Sequence, residues 1–146
     1  MRPVSDRNGR RHCGFTLVEL AVVIVIIGVL AAFGVPRFLK AVERSKAAEA
    51  FNYLSAVRDS QERYQAQNRT YADDVTKLDI SFSAPKYFDV GTPGAGASGH
   101  IEDSWTLTLT RSGLSSGYGA YTVTFTDQGY DSTNSTIVTD VNPMGG

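Results

Sequence analysis

Glu19 is the ionisable residue with the most demanding setting. From Leu20 to Val35 the chain carries no charge (LAVVIVIIGVLAAFGV), and no Lys or Arg lies between residues 15 and 36. A carboxylate inside a membrane segment costs on the order of 2.5–3.5 kcal/mol at the centre and less toward an end. Two chemistries accommodate it. As an interfacial residue it reaches the headgroups; as an ion-pair partner it meets a specific positive group. The segment itself supplies no cation, so in the second case the partner is a new chain terminus or another molecule.

The remaining reactive side chains form no constellation. Cys13 is the single cysteine, so no intramolecular disulfide can close. It lies in a basic leader, and a product cut after it has no cysteine for nucleophilic or metal chemistry. His100 is the only histidine beyond that leader, too few for a typical zinc site, and Ser98 and Asp103 share its loop by chance. Asp127 and Asp131, in DQGYD, offer oxygens that calcium would accept. The acidic spacing of an EF-hand is missing, however, and turn chemistry is the stronger reading. Gly94-Ala95-Gly96 lacks the Gly-Lys-Ser/Thr ending of a phosphate loop. Asn68-Arg69-Thr70 and Asn134-Ser135-Thr136 match the glycosylation sequon, a pattern that arises easily by chance. No acid, base and nucleophile group is visible, so neither an enzyme nor a cofactor is expected.

The elements that would position Glu19 follow from patterning. The chain has 146 residues, 42% hydrophobic and 20% charged, with a net charge of −1. That is one domain's worth of ordinary globular composition, without the basic excess of a nucleic-acid binder. The charge is uneven. Residues 1–14 hold four arginines against one aspartate, a net +3, and the other 132 residues hold 10 basic and 14 acidic side chains, a net −4. A basic start, an apolar run and then a polar, mildly acidic stretch is the order of targeting plus anchoring. Phe15–Val35 as a helix spans ~30 Å, the thickness of a bilayer core. Arg2–Arg11 then stay cytoplasmic and the C-terminus lies outside.

Residues 37–66 read as a continuing helix. Ala47, Phe51, Leu54, Val57 and Tyr64 fall on one face, and Arg58–Glu62 and Asp59–Arg63 form i,i+4 charge pairs on the other. Tyr53 and Tyr64 read as packing residues, and Asn68 as a helix stop. Ser104–Arg111 (SWTLTLTR) and Ala120–Asp127 (AYTVTFTD) alternate with period two. They predict strands that bury Trp105, Leu107 and Leu109 on one, and Tyr121, Val123 and Phe125 on the other, with threonines facing away. The SGLSSGYG between them suits a long hairpin loop. Thr136–Val141 is a weaker third strand, Tyr87–Val90 a short fourth element, and Gly91–Gly99 a flexible connector.

Gly14-Phe15-Thr16-Leu17-Val18-Glu19, followed by an unbroken apolar run with Gly28 and then Pro36, resembles the N-terminus of type IV pilins and type II secretion pseudopilins. The match is continuous over about residues 10–40. The resemblance implies cleavage between Gly14 and Phe15 by prepilin peptidase and N-methylation of Phe15 by the same enzyme. It also implies pairing of Glu19 with the N-terminal amine of a neighbouring subunit. A carboxylate and an ammonium attract far more strongly in an apolar interior than in water, so such a pair sets axial register. Gly14 leaves a protease subsite unobstructed. Gly28 permits close helix approach and Pro36 removes a helical hydrogen bond; the resemblance implies that the helix loosens on assembly over Gly28–Pro36, with Gly34 helping. The family often closes a C-terminal loop with a disulfide, which this chain cannot do.

The expected fold is α+β: a long N-terminal helix, membrane-spanning in its first half, packed on a small antiparallel sheet of three to four strands. Residues 1–14 are a cleaved basic leader, 15–36 the transmembrane and filament-core helix, 37–68 its amphipathic continuation and 69–146 a small β-sheet domain. The expected function is that of a prepilin polymerised through its helix into a type IV pilus-like filament. Its partners are prepilin peptidase/methyltransferase, further copies of itself, the inner membrane and the assembly machinery in it. It starts as a single-pass inner-membrane protein and ends in a surface filament. The alternatives are a periplasmic type II secretion pseudopilin and a minor pilin acting as a tethered binding module. The acidic mature chain weighs against nucleic acid.

Overall fold

The computed structural model describes residues 14–113 and 117–145. Residues 1–13 of the leader, Cys13 included, and the tip of the SGLSSGYG loop lie outside them. The chain divides into two units after Pro36.

Helix α1 (Leu17–Asn68) runs unbroken through Gly28, Gly34 and Pro36. In its first unit, every large apolar side chain from Leu17 to Val35 is exposed. By length and composition this helix can cross a membrane.

In the second unit α1 becomes amphipathic. Ala47, Ala50, Phe51, Leu54 and Val57 are buried against the sheet, as is Tyr53, while Tyr64 is half-buried. The helix stops at Asn68, whose amide donates to the Tyr64 carbonyl at 3.0 Å. Arg69 follows in the left-handed region (φ 61°), the usual backbone exit from a helix. Arg58 and Arg63 of the expected i,i+4 pairs make their hydrogen bonds farther along the chain, although the Asp59 charge still acts on Arg63. Arg63 grips Asp79 with two nitrogens, at 3.0 and 2.8 Å, and Arg58 Nε donates to the Asp127 carbonyl at 3.0 Å. Oxygens fixed by the fold hold a guanidinium better than a mobile helix neighbour can.

Among the described residues five antiparallel strands form one sheet: β1 (Phe88–Val90), β2 (Gly94–Ala95), β3 (Trp105–Arg111), β4 (Thr122–Thr126) and β5 (Gly129–Tyr130). Their order is β1-β3-β4-β5, with β2 also paired to β3. Register places Leu107 opposite Phe125 and Leu109 opposite Val123, so both expected apolar faces meet the helix. Phe51 stacks edge-on against Phe125, with ring centroids 5.7 Å apart.

Two expectations are corrected. Gly91–Gly99 is no loose connector, because it carries β2. A Cβ on Gly91 would lie 2.7 Å from the Thr108 carbonyl oxygen, and one on Gly96 would lie 2.8–2.9 Å from Ser104 Oγ and the Trp105 backbone. These glycines let the chain run tightly along β3. Thr136–Val141 is not a strand. The edge of β4 takes β5 at one end and, at the other, the Ser135 and Thr136 hydroxyls on the Thr124 and Thr122 amides, so that of this segment only Thr136 reaches it. The chain then turns, with the Val141 and Asn142 amides on the Val138 carbonyl, to bury Ile137 and Val141.

Candidate functional site

The residues singled out for processing and assembly lie at the start of α1. Gly14, Phe15 and Thr16 precede the helix, and Phe15 is 76% exposed. Glu19 is also exposed, but its carboxylate is engaged. Oε2 accepts from the Thr16 backbone amide at 3.0 Å and the Thr16 hydroxyl at 3.1 Å, and the Thr16 hydroxyl accepts from the Glu19 amide at 3.2 Å. This is a reciprocal capping box. Thr16-Leu17-Val18-Glu19 spells its T-x-x-E signature, a signal that sequence reasoning passed over. The geometry holds the carboxylate beside Phe15 through local bonds that use one of its two oxygens. Gly28 and Gly34 answer no requirement within the chain, since a Cβ at either position would meet nothing within 4 Å.

The best-organised charges in the molecule were also missed. Glu43 and Arg111 are both buried. Arg111 Nε donates to Glu43 Oε1 at 2.6 Å and Nη2 donates to Oε2 at 3.3 Å. The Tyr121 hydroxyl donates to the same Oε1 at 3.0 Å, and Lys46 Nζ lies 3.4 Å from Oε2. Arg111 Nη1 reaches the Tyr87 and Ser112 carbonyls, and its guanidinium lies over the Tyr87 and Phe88 rings. Burial resists ionisation of Glu43, but hydrogen bonds from Arg111 and Tyr121 and the charges of Arg111 and Lys46 overcome it, so its pKa falls below the ordinary value. Burial, reinforced by the Glu43 charge, pushes the Tyr121 phenol up. The signals were present in the sequence. Glu43 stands four and seven residues before Ala47 and Ala50 on the apolar stripe, and Arg111 continues the inward series 105, 107, 109.

Elsewhere the singled-out residues serve local structure. Asp131 Oδ1 accepts from the Thr133 and Asn134 amides at 2.9 and 3.1 Å, and Oδ2 accepts from Asn134 Nδ2 at 2.6 Å. The Asp127 carboxylate accepts from Gln128 Nε2. Among the described residues no group of three or more His, Cys, Asp or Glu could hold a metal ion. The His100 carbonyl accepts from Ser98 Oγ and from the Asp103 and Ser104 amides, and the Ser98 and Ser104 hydroxyls bond each other at 2.6 Å.

A solvent-facing apolar helix opened by a carboxylate and carrying a helix-on-sheet unit is the architecture of a membrane-anchored assembly subunit. Comparison with known proteins agrees. Residues 9–35 match the family model for the prokaryotic N-terminal methylation motif. The chain is 34% identical to the fimbrial protein EcpC of Eikenella corrodens over 106 residues, 71% of this chain and 67% of that one. It is 41% identical to the type IV major pilin protein PilA of Myxococcus xanthus over 68 residues, 47% of this chain and 31% of that one. It is 34% identical to the type II secretion system core protein G of Aeromonas hydrophila over 76 residues, 52% and 53% of the two chains. The chain belongs to the type IV pilin and type II secretion pseudopilin family. It spans from about a third to two thirds of the length of these relatives.

Proposed function

We propose that this chain is the precursor of a structural subunit of a type IV pilus-like filament. Its leader is removed between Gly14 and Phe15, Phe15 is N-methylated, and the apolar helix polymerises after a stage as a single-pass inner-membrane protein. The partners are the prepilin peptidase, neighbouring copies and the inner-membrane assembly machinery. One observation carries the reading: an apolar helix stretch of membrane-spanning length is exposed along its whole length, with one carboxylate at its start. Exposed apolar surface of that extent requires lipid or protein around it. Its heterologous burial against further copies builds an open helical filament. Gly28 and Gly34 fit the same reading, since a missing side chain there leaves room for the close approach of another helix.

Glu19 pairs with the Phe15 amine of a neighbouring subunit in this reading. Oε1 is left for the incoming ammonium while Oε2 keeps the Thr16 cap. An unpaired carboxylate in the filament core is penalised, so a subunit out of register is rejected. The pseudopilin reading shares all of this and differs in where the filament ends.

Intact mass and filament yield test the proposal together. The expected species is a chain beginning at methylated Phe15, recovered in sheared surface material. The same species confined to the envelope selects the pseudopilin, and a chain still beginning at Met1 refutes the family's processing in this protein. Glu19→Ala should insert into membranes normally and give few or no filaments. Wild-type yield from that variant rejects the pairing role.

A further inference from the structure

The outer face of the sheet, turned away from α1, carries a polar trough. Its cavity is about 460 Å³, within the ~300–1,000 Å³ range of small-molecule sites. The floor is a threonine ladder in register, with Thr106 opposite Thr126 and Thr108 opposite Thr124. One wall is the stretch around Ala97 and the other is the Asp131–Asn134 turn. Both walls are fixed: Gly96 sits against β3 closely enough to exclude a Cβ, and Asp131 locks its own turn through three hydrogen bonds.

The hydrogen-bond polarity of the trough can be assigned atom by atom. Thr124 Oγ1 donates to the Asn134 carbonyl at 3.1 Å. The 2.9 Å contact between the Thr108 and Thr124 hydroxyls is therefore donated by Thr108, which turns acceptor lone pairs to the trough. The Thr106 hydroxyl makes no hydrogen bond among the described residues and can donate or accept. The Asp131 oxygens retain acceptor capacity beyond the bonds they make, and the Asn134 side-chain carbonyl is unused, with one amide hydrogen left. No cation and no aromatic ring lines the trough.

We propose that this trough binds a neutral oligosaccharide. The site offers several acceptors, one two-way hydroxyl and one amide donor at fixed spacing, and a ligand made of hydroxyl groups satisfies such a set. Phosphates, nucleic acids and acidic glycans are repelled by Asp131 and find no compensating cation. Apolar ligands would strand the polar floor.

The test is NMR titration of the full chain in sugar-free detergent micelles with the neutral trisaccharides maltotriose and cellotriose, and with trilysine as a cationic probe. The expected result is that one trisaccharide shifts the backbone amides of Thr106, Thr108 and Asn134 at millimolar concentration. Thr106→Val keeps the branched shape, loses only an unbonded hydroxyl, and should weaken binding about three- to tenfold. Ala97→Met fills the trough from its wall and should abolish the shifts, whereas Thr110→Val, off the trough on the same strand, should leave them unchanged. The proposal is overturned if neither sugar shifts these amides at about 20 mM. It is equally overturned if trilysine alone does so, or if Thr106→Val binds as tightly as the native chain. None of these readouts depends on leader cleavage or filament formation.

Discussion

Glu43→Gln removes one charge and keeps the shape of the side chain, which makes it the sharpest probe of the helix–sheet junction. In the native chain Glu43 Oε1 accepts from both Arg111 and Tyr121, and Oε2 accepts from Arg111 and faces Lys46. The amide can still accept through one oxygen, but its NH₂ group turns hydrogens toward a guanidinium. The buried Arg111 then keeps its carbonyl partners and loses its counter-charge. Breaking a buried pair on one side costs about 3–5 kcal/mol, and the retained carbonyls place this case near the lower end. For a unit of this size that lowers Tm by roughly 10 °C. Trp105 is the only tryptophan and is fully buried, so its fluorescence reports unfolding of the full chain in micelles directly. A pH series adds a second check. The folded pKa of Glu43 is depressed, so its contribution is complete above the unfolded value of about 4.3 and is lost as pH falls through the lower folded value. Native protein should therefore destabilise in acid more steeply than Glu43→Gln, and the two should converge at low pH. Glu43→Leu combined with Arg111→Met should be more stable than either single variant, because no buried charge is left unpaired, but should stay below native because the Tyr121 hydroxyl and the Tyr87 carbonyl lose their partners. A Tm for Glu43→Gln within about 2 °C of native, or a double variant no better than either single one, would refute this account of the junction.

Gly96→Ala should destabilise the chain by about 1–3 kcal/mol in urea titration, since its Cβ would overlap Ser104 Oγ and the Trp105 backbone; a neutral result would show that β2 can lift off β3 freely. Gln61→Leu should cost about 2–4 kcal/mol by the same assay. The buried Gln61 amide donates to the Ala72 carbonyl at 2.9 Å and accepts from the Ala72 amide at 2.8 Å, and both backbone groups would lose their partners.

Periodicity made the larger elements legible. Trp105, Leu107 and Leu109 alternate with threonines, and Ala47, Phe51, Leu54 and Val57 recur at helical spacing; a half-buried strand or helix must be written in this way. The two-residue strands β2 and β5 were not legible, because a pair of residues has no period. Their pairing depends on where Gly91 and Gly96 allow the chain to approach β3, a tertiary fact. Thr136–Val141 shows the converse failure. It has strand composition, but only Thr136 meets β4, with its amide on the Thr122 carbonyl and its hydroxyl on the Thr122 amide, before the chain turns to bury Ile137 and Val141. The buried ion pair was missed because charged residues were sought on the outer faces, whereas Glu43 and Arg111 continue the inward ones. The capping box was spelled out in Thr16-Leu17-Val18-Glu19 and was overshadowed by the apolar run that follows it.

Two of the four glutamates on α1, Glu19 and Glu43, show how one residue type serves opposite ends. Glu43 has a complete set of donors inside its own chain, so its burial costs little in the folded subunit and withdrawal of any partner is expensive. Its contribution is a fixed junction between helix and sheet. Among the described residues Glu19 is held by Thr16, and no cation lies along the apolar stretch that follows. A carboxylate satisfied only by a hydroxyl and an amide tolerates an interface with water or headgroups, but not an apolar surround without counter-charge. In the proposed filament the isolated subunit is therefore stable as it stands, and the penalty appears only when other helices close around Glu19. Strength at Glu43 comes from a pairing already made; in the proposed filament, selectivity at Glu19 comes from one left to be made.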